Sequence, residues 1–211
     1  MRPIRKSWTP AAASLTGFRS NATALDWALT ATSAADGLAH LVTVRNDSAT
    51  NHSAKTAVLT GTDADGKPQT ETINLPDNAA TVTSTKFFLT LESVVPSATI
   101  NADTMDVGWS AVAAGQTTPL EWRSNAVAAM TVDISGTINF TVEQTFANVY
   151  DSAPSTLPWV PIASPVDMDD VTADTTGTAT LGAQAVRFYV NSVTAGATAT
   201  LYLVQPGGFT L

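Results

Sequence analysis

Apolar and polar residues alternate with a period of two along much of this 211-residue chain. The pattern is clearest at residues 130–134, 138–143 and 186–191, where Val, Ile, Phe or Met occupies every second position. A period of two places successive side chains on opposite faces of a strand, whereas a helix would need a period near 3.6. The pattern therefore predicts short strands with one buried face.

The most distinctive local prediction is a β-hairpin between residues 56 and 75. A β-branched run at residues 56–62 stops at Asp63-Ala64-Asp65-Gly66, and Gly66 can take a positive φ at low cost. The returning segment has Ile73 and Leu75 on one side and Thr72 on the other. This spacing is typical of two paired strands joined by a tight turn.

Further alternation predicts strands at residues 25–32, 38–45, 87–92 and 198–205. Trp27, Phe140 and Phe188 fall at inward positions and are predicted to be core residues. No convincing helix of ten residues is present, and residues 118–130 are a weak candidate. Residues 151–166 contain four prolines, which predicts an excursion loop because proline is excluded from strand interiors.

These elements predict an all-β fold, with two β-sandwich or jelly-roll-like halves and an extended N-terminal arm. The predicted division is an arm at residues 1–23, a first sandwich at residues 24–113 and a second at residues 114–211. The boundary falls in residues 111–119, which are rich in small residues and turn formers. Whether this segment links two domains or crosses between sheets of one domain stays open at this point.

Composition points to a subunit that neighbouring chains cover. Only 13% of residues are charged, 44% are hydrophobic, and Thr, Ser, Ala and Val dominate. The net charge is −8, but residues 1–25 carry +4 and the rest of the chain −12. Because the chain beyond residue 25 is this acidic, it repels nucleic-acid phosphates, and we expect no nucleic-acid partner.

The chain has no Cys, which excludes disulfides and thiolate chemistry. No stretch reaches the roughly 18 to 20 apolar residues that span a bilayer. Residues 7–18 are too polar for a signal-peptide core. We therefore expect no membrane partner and assembly in the cytoplasm.

Several segments resemble structural proteins of tailed bacteriophages. They are Gly-Thr-Asp-Ala-Asp-Gly at residues 61–66, Gln-Thr-Glu-Thr at 69–72, Val-Thr-Ser-Thr-Lys-Phe-Phe at 82–88, Ser-Val-Val-Pro-Ser-Ala-Thr at 93–99, Ser-Gly-Thr-Ile-Asn-Phe-Thr-Val-Glu-Gln-Thr-Phe at 135–146 and Val-Arg-Phe-Tyr-Val-Asn at 186–191. The resemblance implies a non-enzymatic building block of the virion. The favoured role is a capsid decoration or cement protein that bridges capsid subunits. A tail, collar or head-fibre component is the alternative within the same class, and a receptor- or glycan-binding β-module is the alternative from another class.

The partners expected from this reading are other virion proteins, with the major capsid protein favoured, and further copies of the same chain. Basic residues in the arm would steer it to an acidic neighbour, and aromatic residues would anchor it, as they do in many interfaces. A glycan site would use Trp159 and the acidic loop at residues 167–174. The candidate interface residues are Arg2, Arg5, Lys6, Trp8, Phe18, Trp159 and Phe209.

No catalytic, cofactor-binding or metal-binding residue is predicted. Asp63 to Gly66 has the opening of a calcium loop, but Asn74 stands where the loop needs a bidentate Glu. The acids at residues 167–174 favour a solvated loop over a weak cation site. His40 is expected as a buried imidazole and His52 as an exposed loop residue. The chain has no Gly-x-Ser-x-Gly elbow and no phosphate loop, and we expect no enzyme activity.

Overall fold

The computed structural model describes residues 3–23, 26–120, 127–150, 156–163 and 165–205. It divides into two compact units, a first unit of Ala12–Ala113 and a second unit of Met1–Ala11 with Ala114–Leu211. The prediction of an all-β fold is confirmed. In chain order the strands are β1 (Ile4–Trp8), β2 (Ser14–Ala22), β3 (Ala39–Asn46), β4 (Thr56–Thr62), β5 (Pro68–Asn74), β6 (Thr81–Phe88), β7 (Thr90–Pro96), β8 (Met105–Ala114), β9 (Thr118–Pro119), β10 (Ala129–Ser135), β11 (Ile138–Thr145), β12 (Val160–Pro161), β13 (Thr175–Thr178), β14 (Ala185–Val193) and β15 (Thr198–Val204).

The first unit is a β-sandwich. One sheet contains β8, β3 and β6 in that order, with β2 paired to β8, and the other has the order β5-β4-β7. The alternating apolar residues of both sheets meet in one buried cluster, which contains Val42, Phe88 and Val107 from the first sheet and Leu59 and Ile73 from the second. Sheets that bury one face each against the other form a stable two-layer domain.

The predicted hairpin is confirmed as β4 and β5, with Thr62 paired to Pro68 at the turn. Asp63 Oδ1 accepts hydrogen bonds from the N–H groups of Asp65 and Lys67, each at 2.9 Å. Gly66 has φ +77°, the left-handed conformation that the sequence predicted for it. The Asp63 carboxylate is therefore a structural part of the hairpin turn.

The second unit is also built from two sheets. One has the order β1-β15-β10-β13, and the other contains β12, β11 and β14, with β9 paired to β14. Phe140 and Phe188 are both buried and stack with ring centroids 5.5 Å apart. Val132 and Leu201, cross-strand partners on β10 and β15, are buried as well. The inward positions predicted on these strands are confirmed.

One of the predicted strands is wrong. No strand forms in residues 26–32, where Asp26 Oδ1 instead accepts from the Ala28 N–H and Thr30 N–H donates to Phe18 O. Trp27 is nevertheless buried, as predicted. The weak helix candidate at residues 118–130 contains β9 at its start and β10 at its end, and residues 121–126 lie outside the described part.

The N-terminal segment is not an extended arm that leaves its own chain. Residues of β1 pair with β15 from Ile4↔Leu203 to Trp8↔Ala199. β2 pairs with β8 in the first unit. The segment at residues 1–23 was predicted to be an arm because it has no clear hydrophobic period, but pairing to a neighbouring strand does not require one.

Candidate assembly surfaces

The basic and aromatic residues of β1 are engaged within the second unit. Trp8 stacks on Phe188 with ring centroids 4.8 Å apart and an interplanar angle of 6°. Lys6 Nζ donates to Thr118 Oγ1 at 2.9 Å, and the Arg5 guanidinium lies 5.8 Å from the centroid of the Tyr202 ring. These contacts dock β1 on its own unit, and only Arg5 of the three is exposed.

Phe18, another predicted interface anchor, is 1% exposed in the core of the first unit. Its ring makes an edge contact with Trp109, with centroids 5.0 Å apart. The structure thus gives Phe18 a role in the fold and corrects its assignment to a surface. Arg2 and Phe209, which were also predicted as interface residues, lie outside the described residues.

Trp159 is half-buried rather than exposed. Its indole packs against the small cluster of Val149, Leu157 and Ala185, and the Arg187 guanidinium lies 4.5 Å above the ring. Arg187 Nε also donates to Glu143 Oε2 at 2.6 Å. A glycan-binding tryptophan needs a free ring face, and here a cation covers one.

The acidic loop predicted beside Trp159 is folded back onto the sheet of β11 and β14. Thr141 Oγ1 donates to Asp169 Oδ1 at 2.8 Å, and Asn191 Nδ2 donates to Asp170 Oδ1 at 3.0 Å. These carboxylates fasten the loop. Within the described ranges, no group of three or more His, Cys, Asp or Glu side chains could hold a metal ion.

Both histidines are buried, so the prediction of an exposed His52 is wrong. His52 Nε2 lies 2.8 Å from Asp103 Oδ2, and its Nδ1 lies 3.0 Å from Lys55 Nζ. His40 is placed between Asp36 Oδ2 at 2.8 Å and Ser110 O at 2.9 Å. Each imidazole has a partner at both nitrogens, an arrangement that fixes loops.

A charged cluster at the end of β3 had no counterpart in the sequence interpretation. Arg45 Nη2 contacts Asp106 Oδ2 at 2.7 Å and Asp47 Oδ1 at 2.9 Å. Burial opposes ionisation of Asp106, but hydrogen bonds from the Asn21 N–H and Arg45 outweigh it, so its pKa lies below the usual value. Burial and the hydrogen bond with Asp106 raise the pKa of Asp47. The partners come from separate strands and loops, which only folding brings together.

Among the residues that the structure describes, two sets of exposed apolar side chains are further candidate surfaces, one taken from each unit. The first-unit valine pair consists of Val58 and Val95, which are 39% and 57% exposed and face each other on β4 and β7. The second-unit patch consists of Phe146, Tyr150 and Leu181, which are 52%, 74% and 60% exposed. Exposed apolar side chains that lie together are candidates for interaction sites, whereas scattered single ones are normal on a monomer.

Two members of the second-unit patch, Phe146 and Leu181, lie near the end of the β11–β14 pair where Thr145 pairs with Ala185. Gln184 N–H donates to Thr145 O at 2.7 Å. Gln144 exchanges two hydrogen bonds with Thr180, each of 2.8 Å. These bonds hold the segments that carry Phe146 and Leu181 side by side.

The surroundings of the valine pair are almost uncharged. Val58 is paired to Thr72 on its other side, and the next outward positions along the sheet are Thr60 and Thr70. Threonine and valine side chains are short and stiff, so little conformational entropy is lost when such a face is covered. This sheet face is suited to contact with another protein surface.

No family model matches the chain, and no curated protein matches it. Among solved structures, the chain is similar to the crystal structure of the major capsid protein P2 from bacteriophage PM2. The sequence identity is 11%, the TM-score is 0.22, and the comparison covers 98% of this chain and 100% of that chain. A similarity at this TM-score carries no argument about function. No helix in the described part of the chain is long and apolar enough to cross a membrane.

Proposed function

We propose that the protein is a non-enzymatic structural subunit of a tailed-phage virion, acting as a capsid decoration protein. The observation that carries the bridging part of this proposal is the presence of one exposed apolar surface on each of two β-sandwich units. A chain with two such surfaces can contact two neighbouring subunits at once. The assignment to a phage virion comes from the sequence resemblance.

The charge distribution supports a protein partner. The chain has a net charge of −8, so it repels nucleic acid. Many copies of a weak two-surface contact become strong together, because the second contact of each copy forms at high effective concentration. A shell with many equivalent seams offers that multiplicity.

The absence of catalysis is part of the proposal. It is supported by His40 and His52, which are each 1% exposed and whose ring nitrogens face partners within the fold, so neither imidazole is accessible to a substrate. It is also supported by Asp169 and Asp170, which are committed to hydrogen bonds with the sheet.

The test compares phage particles purified with and without this protein after heat or low-salt challenge, with DNA release as the readout. We expect particles that assemble without it but release DNA earlier. Particles that retain filled heads but lack tails would refute the decoration role and place the protein in the tail or collar.

Single variants then test the bridging step. Val58→Lys and Leu181→Lys each disable one apolar surface, so each variant should still bind particles through the other surface but no longer protect them. Val204→Lys, which changes a valine that is 45% exposed outside both surfaces, is the matched control and should protect fully. Full protection by both surface variants would refute bridging through these residues.

A further inference from the structure

We propose that the free edge of β7 is a homodimer interface, at which β7 of one copy pairs antiparallel with β7 of a second copy. This inference does not depend on the virion role. It rests on the hydrogen-bonding direction of the β7 backbone, the open groove beside it and the order of side chains along the strand.

The backbone of β7 has one side engaged and one side open. β7 is an outer strand of the sheet β5-β4-β7, and it pairs with β4 from Thr62↔Thr90 to Ala57↔Pro96. Ser97 N–H donates to Thr56 O at 2.8 Å. The backbone N–H and C=O groups of successive residues in an antiparallel strand point alternately toward and away from the paired strand. Since Ser97 bonds to β4, the backbone groups of Val95 and Ser93 also point toward β4, and those of Val94 point away from it.

The outward groups of Val94 have no partner among the described residues. Leu91 N–H donates to Thr32 O at 2.8 Å, which ends the open part of the edge on one side. Beyond it, both the N–H and the C=O of Val94 point outward, and Pro96 adds an outward C=O. An edge with unpaired backbone groups is a template for another strand.

A groove keeps this edge accessible. Its volume is about 370 Å³, and its walls are formed by Trp27, Ala28 and Leu29 on one side and by Glu92 to Pro96 on the other. Val95 is 57% exposed at the groove and continues into Val58 on the adjacent strand. An incoming strand would therefore gain backbone hydrogen bonds and cover apolar surface together.

The edge is complementary to itself, which is why the proposed occupant is a second copy. In a pair centred on Val94, the N–H of each Val94 meets the C=O of the other Val94. Ser93 then faces Val95, and Glu92 faces Pro96, so no two like charges oppose each other. A two-fold interface requires such a self-matching surface.

The same order of residues limits the length of the pairing. Pro96 has no N–H to donate, and Glu92 is charged and exposed, so the ladder is confined to the centre of the strand. The product is a six-stranded sheet in the order β5-β4-β7-β7-β4-β5. The two-fold axis passes beside Val94 and leaves both edges at β5.

Sedimentation velocity of the purified full-length chain over a concentration series is the first test. We expect a reversible monomer–dimer equilibrium. Val95→Lys places a Lys of each copy beside the two-fold axis, where the two like charges repel each other. We expect this variant to weaken the dimer by at least about tenfold, which corresponds to about 1.4 kcal/mol. Val204→Lys, the matched exposed valine on β15, should leave the equilibrium unchanged.

Val94→Pro tests the backbone bond itself. It removes an N–H that points away from β4, so the pairing with β4 is retained, and proline is tolerated at such edge positions. The Val94 side chain is 3% exposed in the first-unit core, so the variant also loses some stability. We expect a folded monomer, with circular dichroism that matches the native chain. If this variant does not fold, the Val95→Lys result decides the proposal alone.

A spin label fixes the location of the interface. The chain contains no Cys, so Val95→Cys accepts a single nitroxide. In the proposed dimer the two positions are diagonal neighbours about 7–8 Å apart, close enough for strong spin–spin broadening. A chain that stays monomeric at its highest soluble concentration would overturn the proposal, and so would a dimer without broadening at position 95.

Discussion

Replacement of Trp8 by alanine distinguishes a strand that belongs to the fold from an arm that reaches a neighbour. Trp8 lies on β1, stacks on Phe188 at 4.8 Å and is half-buried. Full truncation of a buried Trp costs about 3–5 kcal/mol, and an aromatic pair adds about 0.5–1.5 kcal/mol beyond its buried area. With about half of the burial, we expect Trp8→Ala to destabilise the second unit by about 2–3 kcal/mol.

The assay is urea unfolding of the full-length chain, followed by amide hydrogen exchange so that each unit is read separately. With a urea slope of about 1–2 kcal/mol/M for a domain of this size, the midpoint of the second unit should fall by about 1–3 M. The shift should be read at the amides of the second unit, because Trp8 belongs to that unit.

Arg5→Ala is the matched control on the same strand. Arg5 is exposed and its guanidinium is 5.8 Å from the Tyr202 ring, so its loss should cost at most about 0.5–1 kcal/mol. A native midpoint for Trp8→Ala, combined with weaker binding to particles, would refute the reasoning and restore the arm.

Two further predictions concern charged side chains of the first unit. Asp106→Asn should destabilise the chain by about 1–3 kcal/mol in thermal unfolding. This is less than the roughly 3–5 kcal/mol for breaking a fully buried ion pair, because Arg45 is partly exposed. An unchanged melting temperature would show that the contacts of Asp106 with Arg45 and Asn21 contribute nothing to stability. The hydrogen bond from His52 lowers the pKa of Asp103 below its usual value of 3.8. The ionised carboxylate therefore stabilises the fold at pH values above 3.8, and this stability is lost as the pH falls through the lowered pKa. Asp103→Asn should therefore flatten the acid limb of the stability curve, and an acid limb identical to that of the native chain would contradict the assignment.

The sequence by itself determined the fold class and the local elements that depend on neighbours in the chain. The β4–β5 hairpin follows from Asp63 and Gly66, whose turn chemistry is complete within a few residues. The buried faces of β11 and β14 follow from a period of two, which records the side of the strand that faces the core.

Sequence-based prediction failed where the deciding partner is distant in the chain. The sequence of β1 has no strong hydrophobic period, but β1 is held in the second unit by pairing of Ile4 with Leu203 and by stacking of Trp8 on Phe188. His52 lies in a polar segment and was expected to be exposed, whereas Asp103 and Lys55 draw it into the interior. In both cases the stabilising contact comes from a segment that local pattern cannot identify.

The candidate surfaces divide in the same way. Aromatic residues and a basic segment are visible in the sequence, but burial decides which of them can reach another molecule. Phe18 and Trp159 are held inside or against their own units, while Val58 and Val95 become a surface only because β4 and β7 are adjacent. Strand composition is a local property. Strand order, and with it the free edge of β7, is set by the whole chain as it closes its two cores.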